Sequence, residues 1–451
     1  MRLRSCLLYT AAFLLVGVVC IVIAAATITG NHRTESVQRL KVVLTEASSA
    51  TPVPDGEAAA QPDAPVSGAV AAASAAQDFA ALRSRFIEQS RDNRPWQEAM
   101  DLLQGDEPPS TWAEAQWEQI SSLVDANRDL IEEIRRIAAL GQPLAELERP
   151  LTFETNLEHL ATARAMARLL AVDALVGGRA GDFDRLFADV EACLGLADAV
   201  SRDGVIISNL VSYAVSGIAQ QAVRDAMMPG ALTAEQTGNL MDAFVQGYTR
   251  DAFIRSLAGE ATMGMSVFAA LRSGDMPGGL SDDRWLGTLY GSVALRPLLN
   301  IDETAHAEAM ETLIEAAARP YYEVRSELEE LEARLGSGLP FLRPMTRTLT
   351  PALTAVLAAQ ARHEADVDLL RMGLLLEQHY AAAGRYPDSL DAIAAGMGGA
   401  LPVDPFSGEP YRYVPEGGTF LLYSLGLNGA DDGGTHAWRG GDWVWRGQEA
   451  E

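Results

Sequence analysis

Glu303 and His306 stand three residues apart in Glu303-Thr304-Ala305-His306, so on a helix a carboxylate and an imidazole share one face. That is half of what a carboxylate-bridged di-iron bundle uses. Such a centre needs a second Glu-x-x-His and two further glutamates, and the sequence has no second copy. Glu308 and Glu311 continue the polar stripe, so the expectation for this face is a solvated one. Glu158-His159 and His363-Glu364 are the other carboxylate–imidazole neighbours; adjacent helical residues point apart, and both pairs read as surface positions. A Gly-x-Ser-x-Gly elbow is absent, and a lone cysteine with scattered histidines is no protease signature.

Lys41 is the only lysine, and it lies just beyond an apolar N-terminal segment. A Walker A loop and a kinase site each place a lysine on phosphate, and a pyridoxal enzyme uses one as a Schiff base, so none of these can be built here. The formal charge of -26 repels phosphate backbones and excludes nucleic acid as the expected partner. Of the 3 cysteines, Cys6 and Cys20 fall in the apolar segment and Cys193 reads as a small buried residue, so no disulfide framework supports the remainder. Trp443 and Trp445 lie two apart on an expected strand, hence on one face, where they suit covering a sheet better than stacking on sugar.

These side chains must be positioned by a chain of 451 residues, enough for two or more cores. Cys6 to Thr29 is free of charge and long enough to cross a bilayer. The rival reading is a cleaved signal peptide, whose apolar region spans only about 7 to 15 residues. The anchor reading makes the protein single-pass in the cell membrane, with its soluble part outside the cytoplasm; the basic residues flanking the segment nearly balance. Val19 before Cys20 disfavours a lipoprotein. Ala47 to Gln77, mostly Ala, Pro, Ser and Gly, reads as a flexible tether. The expected divisions are a tail and transmembrane helix (1–30), a juxtamembrane segment and linker (31–77), a helical domain (78–350), a long helix with an antiparallel sheet (351–446) and a tail (447–451).

In the helical domain, apolar spacing near 3.6 predicts successive helices over Phe153–Val176, Asp182–Ala199, Gly204–Met227 and Thr233–Gly247, in a bundle or repeat-like arrangement. Asp182 and Thr233 are suitable N-caps. Leu369, Met372, Leu376 and Tyr380 then mark a helix stopped by Gly384 and Pro387. Tyr411–Val414, Thr419–Ser424 and Asp442–Trp445 read as three antiparallel strands, the first two joined through Pro415-Glu416-Gly417-Gly418. The fold class is therefore mainly α with a small C-terminal α+β module.

The order of that helix, Gly384-Arg385-Tyr386-Pro387, Asp404-Pro405-Phe406-Ser407-Gly408-Glu409-Pro410-Tyr411-Arg412-Tyr413 and Tyr423-Ser424-Leu425-Gly426-Leu427-Asn428-Gly429 resembles the C-terminal half of the type II secretion major pseudopilin. The likeness covers roughly the last fifth of the chain. The whole chain looks like a family of membrane-anchored bacterial helical proteins carrying such tails, which implies a layout and no activity. A pseudopilin has a glycine before its processing site and a glutamate five residues into the mature helix; neither is present, so cleavage and polymerisation are not implied.

The resemblance implies a calcium loop after the second strand. Its acidic ligand falls on Asn428, its later aspartate on Asp442 and its backbone ligand on the Leu425 carbonyl, while Asp431 and Asp432 are further oxygen candidates. Asn still offers an oxygen, without charge. The alternative is an acidic solvent loop whose glycines permit turns. The expected function is a non-catalytic interaction or assembly protein, anchored in the membrane, with a protein partner. The alternative is an envelope enzyme, which requires a pocket with convergent polar groups between the helices.

Overall fold

The computed structural model describes residues 2–447 except 50–63, 92, 106–107, 149–150, 153–154, 227–231, 247–249, 275–291, 293, 338–341 and 436–440; side chains are described from Ala24 onward, save 48–49, 64–70, 104 and 348–351. The helices are α1 (Arg2–Ser49), α2 (Ala64–Ser90), α3 (Arg94–Gln104), α4 (Glu114–Ala126), α5 (Arg128–Ala138), α6 (Glu158–Ala180), α7 (Phe183–Ser201), α8 (Ile206–Ala226) and α9 (Ala234–Gln246). They continue with α10 (Arg250–Ser273), α11 (Arg296–Ala317), α12 (Tyr321–Gly336) and α13 (Pro344–Ala383). Strands β1 (Arg412–Pro415), β2 (Phe420–Ser424) and β3 (Trp443–Arg446) follow. The chain is mainly helical, with a small antiparallel sheet near its C-terminus.

Local chemistry sets the helix boundaries. Asp182 accepts from the Arg185 N–H at 3.2 Å to start α7, directly after Gly181 in the left-handed region. Thr233 and Gln236 exchange side-chain and backbone hydrogen bonds ahead of α9, a capping box. α13 begins at Pro344, and its first N–H groups are satisfied from another helix: Asp302 of α11 accepts from Met345 N and Thr346 N, each at 3.0 Å. Gly384, at φ 70°, ends it.

Two cores result. One gathers α2 to α9, the C-terminal half of α13 and the sheet, from Phe79 and Ile134 to Met372 and Phe420. The other joins the end of α1 with α10, α11, α12 and the first half of α13, through Leu40, Phe253, Met310 and Leu357. Between α5, α6 and α7 sits a buried ionic group: Arg135 reaches Asp189 at 2.8 Å and Asp173 at 2.6 Å, and Arg185 reaches Asp173 at 2.8 Å. Burial, reinforced by Asp173, pushes Asp189 up to about 9.

α1 does not end where the apolar run ends. Arg33 pairs with Glu303 at 2.6 Å, Ser36 donates to Glu308 at 3.1 Å, and Leu40 is buried against α11. Residues 31–47, expected as a juxtamembrane segment leading into the tether, thus belong to a packed helix. Ala64–Gln77, expected within a flexible tether, is helical as well: alanine is the strongest helix former, and Phe79, Leu82 and Phe86 downstream give that helix a core face. Residues 50–63 of the expected tether lie outside the described residues. Among the described residues no helix is long and apolar enough to cross a membrane. Most of the Cys6–Thr29 run lies outside those whose side chains are described.

The sheet has the order β1-β2-β3, all antiparallel, with Tyr413 opposite Leu422 and Leu422 opposite Trp445. Every residue of β2 is buried. Phe420 and Leu422 face the core that contains α13, whereas Leu421, Tyr423 and Leu425 form a second small cluster with Val444. Trp445 closes on α13 at Gly373, where an added Cβ would lie 2.2 Å from the indole. Gly373→Ala is expected to lower stability by about 1–3 kcal/mol through overpacking, despite alanine's helix propensity. Gly238→Ala in α9, whose Cβ would meet nothing within 4 Å, is expected to leave stability unchanged or raised. Thermal melting of both variants checks the contrast.

Candidate functional site

The loop after β2 is anchored from below by Asp404. This carboxylate is 1% exposed and takes four hydrogen bonds: from Phe406 N and Leu425 N at 3.0 Å, Ser424 Oγ at 2.8 Å and Ser407 Oγ at 3.0 Å. The turn Asp404–Gly408 and the end of β2 are therefore one unit. The sequence signal for this role is an Asp-Pro followed by Ser and Gly, the pattern of an Asx turn, which by itself does not show that the carboxylate reaches the end of β2.

The five expected calcium ligands separate into groups. Leu425 is buried on the Asp404 carboxylate. Its neighbour Gly426, at φ 63°, lies against Gly441, so close that a Cβ would stand 2.6 Å from the Gly441 carbonyl oxygen. Asp442 is fully buried beside them; one carboxylate oxygen accepts from Gly434 N at 2.7 Å and the other, Oδ1, has no hydrogen-bond partner among the described residues. Asn428 and Asp432 are exposed and bond each other at 2.9 Å, and Asn428 Oδ1 accepts from Ala430 N at 3.1 Å. Asp431 accepts from Gly433 N at 3.0 Å and from the Tyr423 hydroxyl at 2.9 Å, and these bonds hold it below the usual carboxylate range. Leu425 and Asp442 are thus brought together, while Asn428, Asp431 and Asp432 lie along the outer loop. Among the described residues no three His, Cys, Asp or Glu side chains converge as a metal set. The fit rests on the Asp442 oxygen and on backbone and amide oxygens, which calcium accepts.

A second site lies where the helical part meets the module. α8 and α13 diverge around a cavity of about 420 Å³, with Trp443 of β3 on its wall. Tyr213, Gln220 and Arg224 enter from α8; Arg362, His363 and Asp366 enter from α13. Arg362 lies over the Trp443 ring, 3.4 Å from its centre, and Arg224 over Trp445 at 4.9 Å. The Trp443 indole donates to Asp366. His363 stacks on Tyr213 at 4.5 Å with 13° between the planes. Burial pushes Asp366 up to about 6 against the pull of both arginines, and pushes His363 down to about 4, which keeps it neutral. This is the pocket with convergent polar groups that the sequence could not display: Arg362 and Asp366 share a helix face, but Arg224 comes from a distant helix.

A scan of family models finds no match to this chain, and searches of curated proteins and of solved structures find none either.

The remaining carboxylate–imidazole readings change. Glu303 and His306 are not on a solvated face: they are 1% and 2% exposed, because α11 is enclosed by α1, α10 and α13 and its polar stripe faces other helices. Glu303 binds Arg33 and Arg272, and His306 packs on Phe268, with burial lowering its pKa to about 4. Among the described residues nothing in this arrangement supplies the rest of a di-metal site. His159 is buried too, with Nε2 at 2.8 Å from Asp203, whose same oxygen accepts from Ser208 at 2.6 Å. Asp203 stands between the ring and the hydroxyl, tying α6 to α8 rather than activating a nucleophile. His363 is buried in the cleft, while Glu158 stays on the surface as expected. Trp443 and Trp445 pack on α13 as their alternation predicts; Trp438 lies outside the described residues.

α13 also presents carboxylates to tyrosines of the module. The Tyr386 hydroxyl donates to Glu377 at 3.0 Å, and the Tyr411 hydroxyl to Asp368 at 3.1 Å. Burial raises Glu377 to about 7. A carboxyl with a raised folded-state pKa stabilises the fold below its unfolded value, and that contribution is lost as pH rises through about 7. Glu377→Gln is therefore expected to match the wild type near pH 4 and to exceed it above pH 7, by up to about 3 kcal/mol. Chemical denaturation across this range reads the gap; a gap independent of pH contradicts the assignment.

Proposed function

We propose that this chain is a membrane-anchored, envelope-exposed interaction or assembly protein whose pseudopilin-like C-terminal module binds calcium. The observation that carries the calcium reading is Asp442: a fully buried carboxylate with one oxygen unpartnered among the described residues, beside Leu425 and the glycine-rich loop. An uncompensated buried carboxylate oxygen is costly, and a cation supplies its missing partner. Asp442 and the Leu425 carbonyl would hold the ion with Asn428, and Asp431 and Asp432 are the further oxygen donors. The ion closes the loop over β2 and so shapes the surface that a protein partner meets. The charge of -26 argues against nucleic acid in that role. For the anchor, the support is the uncharged run of Cys6–Thr29 inside α1, whose continuation is held in the folded body by Arg33 and Leu40.

A second reading, an envelope enzyme, draws on the cleft between α8 and α13, where Asp366 and His363 have shifted pKa values and would be the acid–base candidates.

Millimolar calcium is expected to raise the melting temperature of the detergent-solubilised full chain relative to chelator, by several degrees if the concentration exceeds Kd about a hundredfold. Asp442→Asn should abolish the shift. No shift in the wild type, or an equal shift in the variant, removes the site. The intact chain is also expected to stay with membranes through a high-salt and alkaline wash, because an apolar helix rather than charge holds it; release at full length contradicts the anchor.

A further inference from the structure

We propose that the cleft between α8 and α13 is a binding site for a small organic oxyanion, its carboxylate or phosphate group held between Arg224 and Arg362. Three observations converge. The cavity, about 420 Å³, falls within the range of small-ligand pockets. Its polar wall carries two guanidiniums and one carboxylate, Asp366, with Asp225 acting on Arg224 from outside the lining, so the wall itself holds an excess of positive charge in a chain whose formal charge is -26. Both guanidiniums are oriented by stacking, Arg362 on Trp443 and Arg224 on Trp445. Stacking uses the faces of a guanidinium, whereas recognition of an oxyanion uses its edge, so the two interactions are compatible in one side chain.

The rest of the cleft suits the remainder of such a ligand. Leu210 and Ala214 of α8 and Ala359 of α13 give one end of the wall an apolar character, and the neutral His363–Tyr213 stack adds an aromatic surface without charge. Asp366 is engaged by the Trp443 indole, which offsets its repulsion of an incoming anion. Because α8 belongs to the helical part and Trp443 to the module, a bound anion bridges both and stabilises their junction. The inference stands apart from the calcium reading, since Asp442 lies in the loop beside Gly426 and Gly434 and lines no part of this cavity.

Isothermal titration of the detergent-solubilised full chain in chelator, with inorganic phosphate and succinate as probes at matched ionic strength, tests it. Saturable binding of at least one probe is expected, and the preferred probe identifies phosphate or carboxylate as the recognised group. Arg362→Gln and Arg224→Gln are each expected to weaken binding about tenfold or more, with Arg362→Lys retaining part of the affinity. Far-UV circular dichroism and melting without anion establish that the variants are folded, and a Gly238→Ala chain, altered in α9 outside the lining of the cleft where a Cβ meets nothing within 4 Å, serves as the substituted control. Absence of saturable binding of both probes to the folded wild type overturns the proposal, as does equal affinity in the wild type and all folded arginine variants. Failure of calcium binding leaves this outcome unaffected, because the titration is run in chelator.

Discussion

A helical stretch that is apolar over most of its circumference cannot stand in water, and α13 contains one between Leu369 and Leu376. Leu369, Leu370, Met372, Leu374 and Leu376, nearly consecutive, are all buried at 1% exposure or less. No single neighbour can cover residues spread over more than half of a helix, so this part of α13 must be enclosed by at least two layers. The helical bundle provides one and the three-stranded sheet the other. Its first half, through Leu353, Val356 and Leu357, joins a different core from its second. The bundle and the module therefore share a helix instead of being joined by a linker.

That constraint accounts for where polar chemistry appears. Polar side chains on a helix enclosed by two layers meet partners at the junction between them, and there they lose water. Glu377 and Asp368 are bonded by Tyr386 and Tyr411 of the module; Asp366 is bonded by Trp443; Asp302 of α11 caps the start of the helix. The cleft with Arg224 and Arg362 occupies the same junction, where α8 and α13 fail to close completely. The same logic applies to α11, whose Glu303 is neutralised by arginines from α1 and α10.

The module's other face is closed by its own loop. Gly434, at φ 74°, approaches Leu421 so closely that a Cβ would lie 2.6 Å from its side chain, and Tyr423 reaches Asp431 across the same surface. β2 is consequently buried on both faces in a sheet of only three strands. The loop thus contributes to the stability of the sheet, and Asp404 fixes its first residues.

By itself the sequence determined what local rules determine. The helical class, the capping roles of Asp182 and Thr233, the end of α13 at Gly384 and the three strands to within a residue or two all follow from periodicity, caps and turn residues within a short window. The shared face of Trp443 and Trp445 follows from strand alternation. What the sequence left undetermined is which helix face meets another helix. Glu303, His306, His159 and His363 look like surface residues because polarity in one helix cannot reveal a charged or aromatic partner elsewhere in the chain; Arg33, Arg272, Phe268, Asp203 and Tyr213 supply those partners. The alanine-rich stretch from Ala64 reads as a tether because alanine has no apolar stripe of its own, and it is helical because Phe79 and Leu82 further along pack into a core. The cleft is the clearest case: an arginine of α8, an arginine and an aspartate of α13 and a tryptophan of β3 converge only when both layers close on the same helix.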